Sequence, residues 1–523
     1  MDSAPLFLIG FMAAGKTTVG QLLAARLGRK FVDLDGRIEQ ATGQTIADIF
    51  AAQGEAAFRR YEESALAEVA GEADVVVATG GGTPTFGRNL AHMRTAGPVV
   101  SLLVSFDDVL SRVPDASSRP LLREGRAAAE RLFRERQAVY QDADVAVETS
   151  GRDPADVAAE IDRRCALLLG DVWVRLGERS YPVHLGPLTR AAELARELCH
   201  PSRTLVVTDD NVARAGHARA VAEAAGAEIV AVRPGEASKS LRVVEEVASA
   251  CVRAGLDRRS LILAVGGGVV GDLAGFVAAV LYRGIAVAQV PTTLLAMVDS
   301  AVGGKTGVDL EAGKNLVGAF WQPRFVLADP TTLDTLPARE RIAAYGEVVK
   351  YALLGDAKLF EALAESGERL DQIDRVDLVR RCARMKAELV SRDETETRGV
   401  RALLNLGHTV GHAIEKASSY ELLHGEAVAL GLVAAARASA RLGAAPPELE
   451  GTVASALRTL GLPTDLAPWR RDEVRAAIHV DKKRDATPDQ MPNKTMVRFV
   501  ALEGVGRPRL VSVPADDLWD MIK

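Results

Sequence analysis

The chain reads as two parallel α/β regions followed by a mainly helical part, and three observations predict this. Short apolar runs alternate with amphipathic stretches over residues 1–169 and again over about 204–329, the pattern of parallel sheets covered by helices. Each region places a glycine-rich loop directly after an apolar run: Gly10-Phe11-Met12-Ala13-Ala14-Gly15-Lys16-Thr17 in the first, Gly266-Gly267-Gly268-Val269-Val270-Gly271-Asp272 in the second. Beyond Leu336 the apolar spacing is almost wholly that of helices. The domains expected are 1–169, 170–333 and 334–523.

At 523 residues the chain exceeds the size at which one core stops growing, so several domains are required. A net charge of −6 spread over 26% charged residues, with no long like-charge run, argues against a nucleic-acid surface or a polybasic membrane patch. Small-molecule partners are expected instead. The cysteines, Cys165, Cys199, Cys251 and Cys382, form no C-x-x-C pair and point to a reducing compartment. The apolar start Leu6 to Gly10 is too short for a signal segment, and no apolar run reaches ~18 residues, so the expected location is cytoplasmic.

Taken in order, the first region offers strands at Leu6 to Phe11, Val75 to Ala78, Val99 to Val104 and Val145 to Val147. It closes on a helix from Pro154 to Leu169, with Asp153 as N-cap and proline in the first turn. Val172 to Gly177 and Tyr181 to Gly186 then read as a strand pair. Leu205 to Thr208, Ile229 to Val232, Leu261 to Val265 and Val287 to Val290 form a second, Rossmann-like layer. A helix is expected over Ala427 to Leu442, and a short extended segment over Met496 to Leu502.

Gly10 to Thr17 satisfies G-x-x-x-x-G-K-[ST] between a strand and a helix. Main-chain N–H groups there cradle phosphates, Lys16 reaches the terminal ones, and Thr17 holds Mg²⁺, so ATP with Mg²⁺ is the expected ligand, held by Gly10, Ala14, Gly15, Lys16, Thr17 and Thr18. With Asp33-Leu34-Asp35, Gly54 to Arg59, Thr79-Gly80-Gly81-Gly82, Arg119-Pro120-Leu121-Leu122 and Arg136 to Tyr140, the whole first region resembles shikimate kinase, a P-loop, nucleoside-monophosphate-kinase-like fold. The resemblance implies that Arg59 and Arg136 clamp a substrate carboxylate, that Asp35 binds the acceptor hydroxyls, and that Gly80, Gly81 and Gly82 let backbone approach the substrate. It also implies that Asp33 supports Mg²⁺, that Arg119 meets the transferring phosphoryl group, and that Arg112 and Arg152 lie around adenine. Ala13 departs from the family's usual glycine, and a positive φ there would strain it.

Three of the eight histidines fall within seventeen residues, in Asn405-Leu406-Gly407-His408-Thr409-Val410-Gly411-His412 and His424-Gly425-Glu426. His408 and His412 share a helix face, and His424 can return from the next element to complete a metal site with a distant carboxylate. Spacing alone lets either His408 or His412 ligate. The blocks Pro234 to Lys239, Val265 to Asp272, Leu281 to Gly284, Pro291 to Ser300, Gly303 to Gly307, Gly313-Lys314-Asn315 and Tyr345 to Lys350 complete a resemblance to 3-dehydroquinate synthase from about Val172 onward.

That resemblance implies NAD⁺ on Asp209, Asn211, Glu236, Lys239, Gly267, Gly268, Val269, Asp272, Thr292 and Thr293, with Thr332, Thr335 and Leu336 nearby. It extends the cofactor set to Asp299, Ser300, Lys305, Lys314 and Asn315. It places Zn²⁺ or Co²⁺ on Glu347, His408 and His424, and His412 at the substrate. Substrate ligands would come from Asp299, Lys305, Asn315, Lys386, Arg401, Asn405 and Lys482 or Lys483. Arg283 would be supplied within a homodimer formed through this half, and Lys305, Lys350, Lys386 and His412 would take part in the chemistry.

The implied protein is bifunctional: it phosphorylates shikimate, and it converts a seven-carbon keto-sugar acid phosphate to 3-dehydroquinate. Two rivals stand beside it. One makes the first half a regulatory nucleotide module, and the other makes the second half another sugar-phosphate cyclase or a polyol dehydrogenase.

Overall fold

A computed structural model describes residues 4–113, 125–367, 372–482 and 496–523. The chain divides into two compact units, Met1–Gly170 and Asp171–Lys523.

The first unit is built on strands β1 (Leu6–Ile9), β2 (Lys30–Asp33), β3 (Val75–Ala78), β4 (Val99–Leu103) and β5 (Val145–Glu148), all parallel in the order β2-β3-β1-β4-β5. Central β1 pairs Phe7 with both Val77 and Val99 and is buried along its whole length, which is why it reads as an unbroken apolar run. Edge strand β2 is only partly buried and has no such run, so the sequence pattern passes over it. Helices α1 (Lys16–Leu27), α2 (Leu34–Thr42), α3 (Ile46–Val69), α4 (Asn89–Ala96), α5 (Phe106–Arg112), α6 (Arg126–Gln141) and α7 (Pro154–Leu169) cover the sheet. Asp153 caps α7 as expected, accepting from Ala155 N at 2.7 Å.

The second unit opens with β6 (Val172–Val174) antiparallel to β7 (Tyr181–Leu185), the expected strand pair. Strands β8 (Thr204–Asp209), β9 (Glu228–Val232), β10 (Leu261–Gly266), β11 (Ala286–Pro291) and β14 (Val326–Ala328) complete a seven-stranded sheet of order β6-β7-β14-β11-β10-β8-β9. Helices α8 (Arg190–Cys199), α9 (Asp210–Arg214), α10 (His217–Ala225), α11 (Leu241–Arg253) and α12 (Gly268–Val280) belong to this layer. A two-stranded sheet, β12 (Lys305–Leu310) with β13 (Gly313–Phe320), interrupts it; glycines and charges hide its period in the sequence.

Helices α13 (Ala338–Gly355), α14 (Ala357–Ser366), α15 (Arg375–Arg392), α16 (His408–Ala417), α17 (His424–Arg441), α18 (Leu449–Thr459) and α19 (Asp472–Lys482) form the rest, with α20 (Ala515–Ile522) at the end. The extended segment expected near Met496 is one strand of a hairpin, β15 (Met496–Gly504) with β16 (Arg507–Pro514). Its second strand is mostly exposed and carries no apolar period.

Three helices are drawn together by backbone contact. A Cβ at Gly346 would stand 2.1 Å from Gly425 O, one at Gly425 would stand 1.8 Å from Ala343 O, and one at Gly431 would stand 1.8 Å from Gly407 O. Only glycine permits such approach, so α13, α16 and α17 meet at main-chain distance. Among the described residues no helix is long and apolar enough to cross a membrane.

Candidate active sites

In the first unit the phosphate loop runs from β1 into α1. Lys16 Nζ donates to Gly10 O and Phe11 O, both at 2.9 Å, and folds over the loop. Gly10 and Gly15 have φ of 146° and 94°, and Ala13 sits at φ 60°. The strain expected of Ala13 is therefore present in the backbone. Thr17 Oγ1 donates to Asp33 Oδ2 at 2.9 Å, which brings together the hydroxyl and carboxylate that a bound Mg²⁺ needs. Thr18 follows in the first turn of α1, and Ala14 is buried beside the loop.

The acceptor residues meet around Gly80 to Gly82. A Cβ at Gly82 would touch Arg59 Nη2 at 2.6 Å, one at Gly80 would lie 3.2 Å from Asp35 Oδ1, and one at Gly81 would lie 3.4 Å from Met12 N and 3.8 Å from Arg136 Nη1. Asp35, Arg59, Arg136 and the phosphate loop thus face one space that glycine keeps open. Burial, then the charges of Asp33 and Glu62, push the Asp35 carboxyl up to about 6, with Lys16 pulling the other way. Its Oδ1 is buried without a hydrogen-bond partner, an acceptor suited to a substrate hydroxyl.

Two residues here have roles that the sequence reading did not assign. Glu62, fully buried on α3, pairs with Arg59 Nη1 at 2.8 Å and accepts from Thr83 Oγ1, holding the guanidinium in place. The i,i+3 spacing from Arg59 was the available signal. Tyr140 donates from its hydroxyl to Gly81 O at 2.6 Å and fixes the glycine run; burial pushes this phenol up to about 12, against Arg136. Arg112 joins the loop to the segment after β5, donating to Ala13 O at 3.1 Å and Thr149 O at 2.8 Å. Arg152 turns to Glu160 at 2.6 Å. Arg119 lies outside the described residues.

In the second unit, β10 delivers Gly267 and Gly268 to the start of α12, with Val269 in its first turn. A Cβ at Gly267 would meet Thr293 Cγ2 at 3.1 Å and one at Gly268 would meet Ser300 Oγ at 3.0 Å, so glycine lets these two hydroxyl side chains close on the turn at the start of α12. Lys239 Nζ donates to Asp272 Oδ2 at 2.8 Å and to Asn315 Oδ1, and lies 3.4 Å from Glu236. Asp209 caps α9, accepting from Asn211 N at 2.8 Å. Thr332 Oγ1 donates to Thr292 O at 3.4 Å, and Thr335 Oγ1 meets His217 Nε2 at 2.7 Å just before Leu336.

The ligand set chosen by the resemblance converges. His408 Nε2 and His424 Nε2 lie 3.2 and 3.1 Å from a single oxygen, Glu347 Oε1, on a carboxylate with no exposed side-chain surface. Burial opposes the charge of Glu347, but Lys350 and the histidines outweigh it and hold its pKa well below the usual range. Burial likewise works against protonated His424, yet Glu347 and Glu415 lift its pKa to about 10. A positive charge is thus stabilised where two imidazoles and a carboxylate meet, and the donor set fits Zn²⁺ or Co²⁺. The ligands sit beside the close-packed glycines: Glu347 follows Gly346, His408 follows Gly407, and His424 precedes Gly425.

Next to this set Asp299 receives Lys386 Nζ at 2.7 Å and the Tyr351 hydroxyl, with Lys350 Nζ at 3.8 Å and also paired to Glu347. Burial lowers Lys386 to about 8, and Asp299 pulls against the fall. Arg401 is 2% exposed, donates to Glu394 O at 2.8 Å, and shares Glu396 with Lys305. Lys314 turns to Glu415 at 3.0 Å, Asn405 is exposed at the end of its turn, and His412 opens to solvent on α16. Arg283 is exposed on a left-handed turn with φ 67°. Lys482 ends α19, and Lys483 lies outside the described residues. Glu415, Tyr351 and Glu396 were not foreseen; Glu415, three residues after His412, carried a spacing signal, while the others meet the site only through the fold.

Comparison with known proteins gives a consistent pattern. The family model described as shikimate kinase matches residues 12–166, and those described as 3-dehydroquinate synthase N-terminal and C-terminal match 229–343 and 344–484. A 3-dehydroquinate synthase of Rhodospirillum rubrum is 47% identical over 370 residues, covering 67% of this chain and 94% of the relative. A solved 2-epi-5-epi-valiolone synthase of Streptomyces hygroscopicus subsp. jinggangensis, with NAD⁺ and Zn²⁺ bound, superposes at TM-score 0.58 and 28% identity, covering 65% of this chain and 95% of its own. A 2-deoxy-scyllo-inosose synthase complexed with carbaglucose-6-phosphate, NAD⁺ and Co²⁺ gives 0.57 at 28%, covering 67% and 98%.

Proposed function

Since the chain belongs to the 3-dehydroquinate synthase family and joins a shikimate kinase to it, we propose how its residues divide two reactions. One is ATP-dependent phosphorylation of shikimate to shikimate 3-phosphate. The other converts 3-deoxy-D-arabino-heptulosonate 7-phosphate to 3-dehydroquinate with release of phosphate. The convergence of His408 and His424 on one buried oxygen of Glu347, beside the lysines of Asp299, carries the second assignment.

In the kinase, MgATP supplies the transferable phosphoryl group when bound. Lys16 and the loop N–H groups hold its phosphates, Thr17 and Asp33 hold the cation, and Arg112 and Arg152 flank the base. Arg59, kept in place by Glu62, and Arg136 clamp the substrate carboxylate. Asp35 accepts from the attacking hydroxyl and orients it; a carboxyl near 6 can take a share of that proton at neutral pH.

In the synthase, NAD⁺ takes and returns a hydride and the metal polarises a substrate oxygen when both are bound. Gly267, Gly268, Lys239 and Asp272 hold the dinucleotide; Glu347, His408 and His424 hold the ion. Lys386, Lys305, Arg401 and Asn405 bind the carboxylate and phosphate of the substrate. Lys350, buried between Glu347 and Asp299, orients the reacting end, and His412 moves a proton on the open side.

Two further assignments belong to this reading. The unit forms a homodimer through its α/β part, where Val280, Tyr282, Leu310, Leu316 and Phe320 are exposed, each subunit offering Arg283 to its partner's site. The four cysteines are all unpaired, three of them buried, which suits the cytoplasm.

Phosphate release from the heptulosonate phosphate with no net NADH, and ADP formation dependent on shikimate, are the expected results. NADH accumulating in step with product would turn the reading to a polyol dehydrogenase; shikimate-independent nucleotide turnover or none would turn the first unit into a regulatory module. Likeness to the valiolone and inosose synthases favours one alternative, a cyclase with a different product, which mass and NMR identification of the product decides.

A further inference from the structure

The histidine cluster contains a donor set that the metal site above does not use. His412, Glu415 and His424 each present a ligand atom, and these atoms lie within 4.8 Å of one another, the same closeness that defines Glu347, His408 and His424. His424 belongs to both sets through opposite edges of its ring. Its Nε2 is 3.1 Å from Glu347 Oε1 and its Nδ1 is 3.3 Å from Glu415 Oε2.

Glu415 is held for this role from its other side. Lys314 Nζ donates to Oε1 at 3.0 Å and lies 4.2 Å from the centroid of the Tyr420 ring, so Oε2 is the oxygen left toward the histidines. His412 is exposed, and its ring centroid is 5.9 Å from that of His424. Two imidazoles and one buried carboxylate, with solvent reaching them past exposed His412, form a zinc-type donor set with a position left for water.

We propose that a second Zn²⁺ or Co²⁺ ion binds His412, Glu415 and His424 and inhibits the synthase, with His424 bridging the two ions. This rests on the assignment of the first ion to Glu347, His408 and His424. On bridging, His424 gives up its remaining ring N–H proton to solvent and coordinates through both nitrogens. Lys314 keeps its bond to Glu415 Oε1, and its charge makes the second site the weaker one. Inhibition follows because the second ion takes His412, the group facing the substrate on the open side. The synthase is thus activated by one equivalent of metal and shut down by excess.

The test is equilibrium dialysis of the full chain, saturated with NAD⁺ and Mg²⁺, against increasing Co²⁺, with the visible spectrum recorded and phosphate release followed in parallel against Zn²⁺. The wild type should take up two equivalents above any retained by a His408→Asn, His412→Asn double variant, the second with new absorption bands, and excess Zn²⁺ should lower phosphate release by about tenfold. His412→Asn should lose the second equivalent and keep the first, whereas His479→Asn, which removes an imidazole near Asp516, should change neither. A wild type that binds one equivalent only, or a second equivalent that survives His412→Asn, overturns the proposal. If instead the first equivalent survives His408→Asn, the primary site is misassigned and the proposal falls with it.

Discussion

Arg112 Nη1 donates to the main-chain oxygen of Ala13 at 3.1 Å, so the residue at φ 60° in the phosphate loop is tied directly to the end of α5. The same guanidinium reaches Thr149 O at 2.8 Å. A left-handed alanine costs about 1 kcal/mol or more, and here the surrounding loop imposes it. Ala13→Gly should therefore raise the melting temperature of the first unit, and because the strain already belongs to the loop before nucleotide binds, ADP affinity and kcat should change little. Thermal unfolding and calorimetric titration with ADP check this; weaker ADP binding in the glycine variant would show that the loop relaxes on binding, and tighter binding that nucleotide deepens the strain.

Glu62 holds Arg59 at 2.8 Å from a fully buried position. Glu62→Gln should raise the KM for shikimate by about tenfold and leave the KM for ATP unchanged. Steady-state kinetics with each substrate varied separates the two. An effect confined to ATP would contradict the geometry.

Lys386, lowered to about 8 by burial in spite of Asp299, predicts the alkaline behaviour of the synthase. Its positive charge is lost as pH rises through about 8, so kcat/KM for the phosphate-bearing substrate should fall on a limb near that pH. Lys386→Arg, whatever its residual rate, should move the limb upward. For stability the sign is opposite. Between about 8 and 10.5 the unfolded chain binds a proton that the folded chain does not, so this group favours folding more as pH rises through that window. Denaturant midpoints measured across that range test this sign in the wild type against Lys386→Met.

The two activities should separate cleanly. Lys16→Met should abolish ADP formation and leave phosphate release intact. Dialysis against a zinc chelator, with Mg²⁺ restored, should do the reverse, and added Zn²⁺ or Co²⁺ should recover the synthase. Loss of synthase activity in a folded Lys16→Met protein would mean that nucleotide occupancy regulates it.

Legibility in the sequence followed burial and locality. The phosphate loop is contiguous, and buried β1 and β10 are unbroken apolar runs, so both sheets could be read. The half-exposed strands β2, β13 and β16 could not, because partial burial leaves no run and no alternation. In the sites, types and spacings named Lys16, Thr17 and the histidine cluster, while the family resemblances supplied Asp35, Arg59, Glu347 and the choice of His408 with His424. They missed groups whose role is to hold another: Glu62 behind Arg59, Tyr140 behind Gly81, Tyr351 on Asp299 and Glu396 between Lys305 and Arg401. Spacing alone left His408 and His412 equal and the resemblance chose His408; the turn of α16 gives the physical reason, directing His408 Nε2 to Glu347 and leaving His412 open.

The glycine contacts of α13, α16 and α17 make the residues proposed to hold the metal depend on something none of them controls. Glu347 is far along the chain from His408 and His424, and the three meet because Gly346, Gly407, Gly425 and Gly431 let three backbones touch. Metal–ligand bonds tolerate errors of about 0.2 Å, far less than the displacement one methyl group at these positions would force. The ion is therefore a gauge of helix docking. A variant that loosens this contact should release its zinc while its helices are still intact, and catalysis will fail well before the fold does.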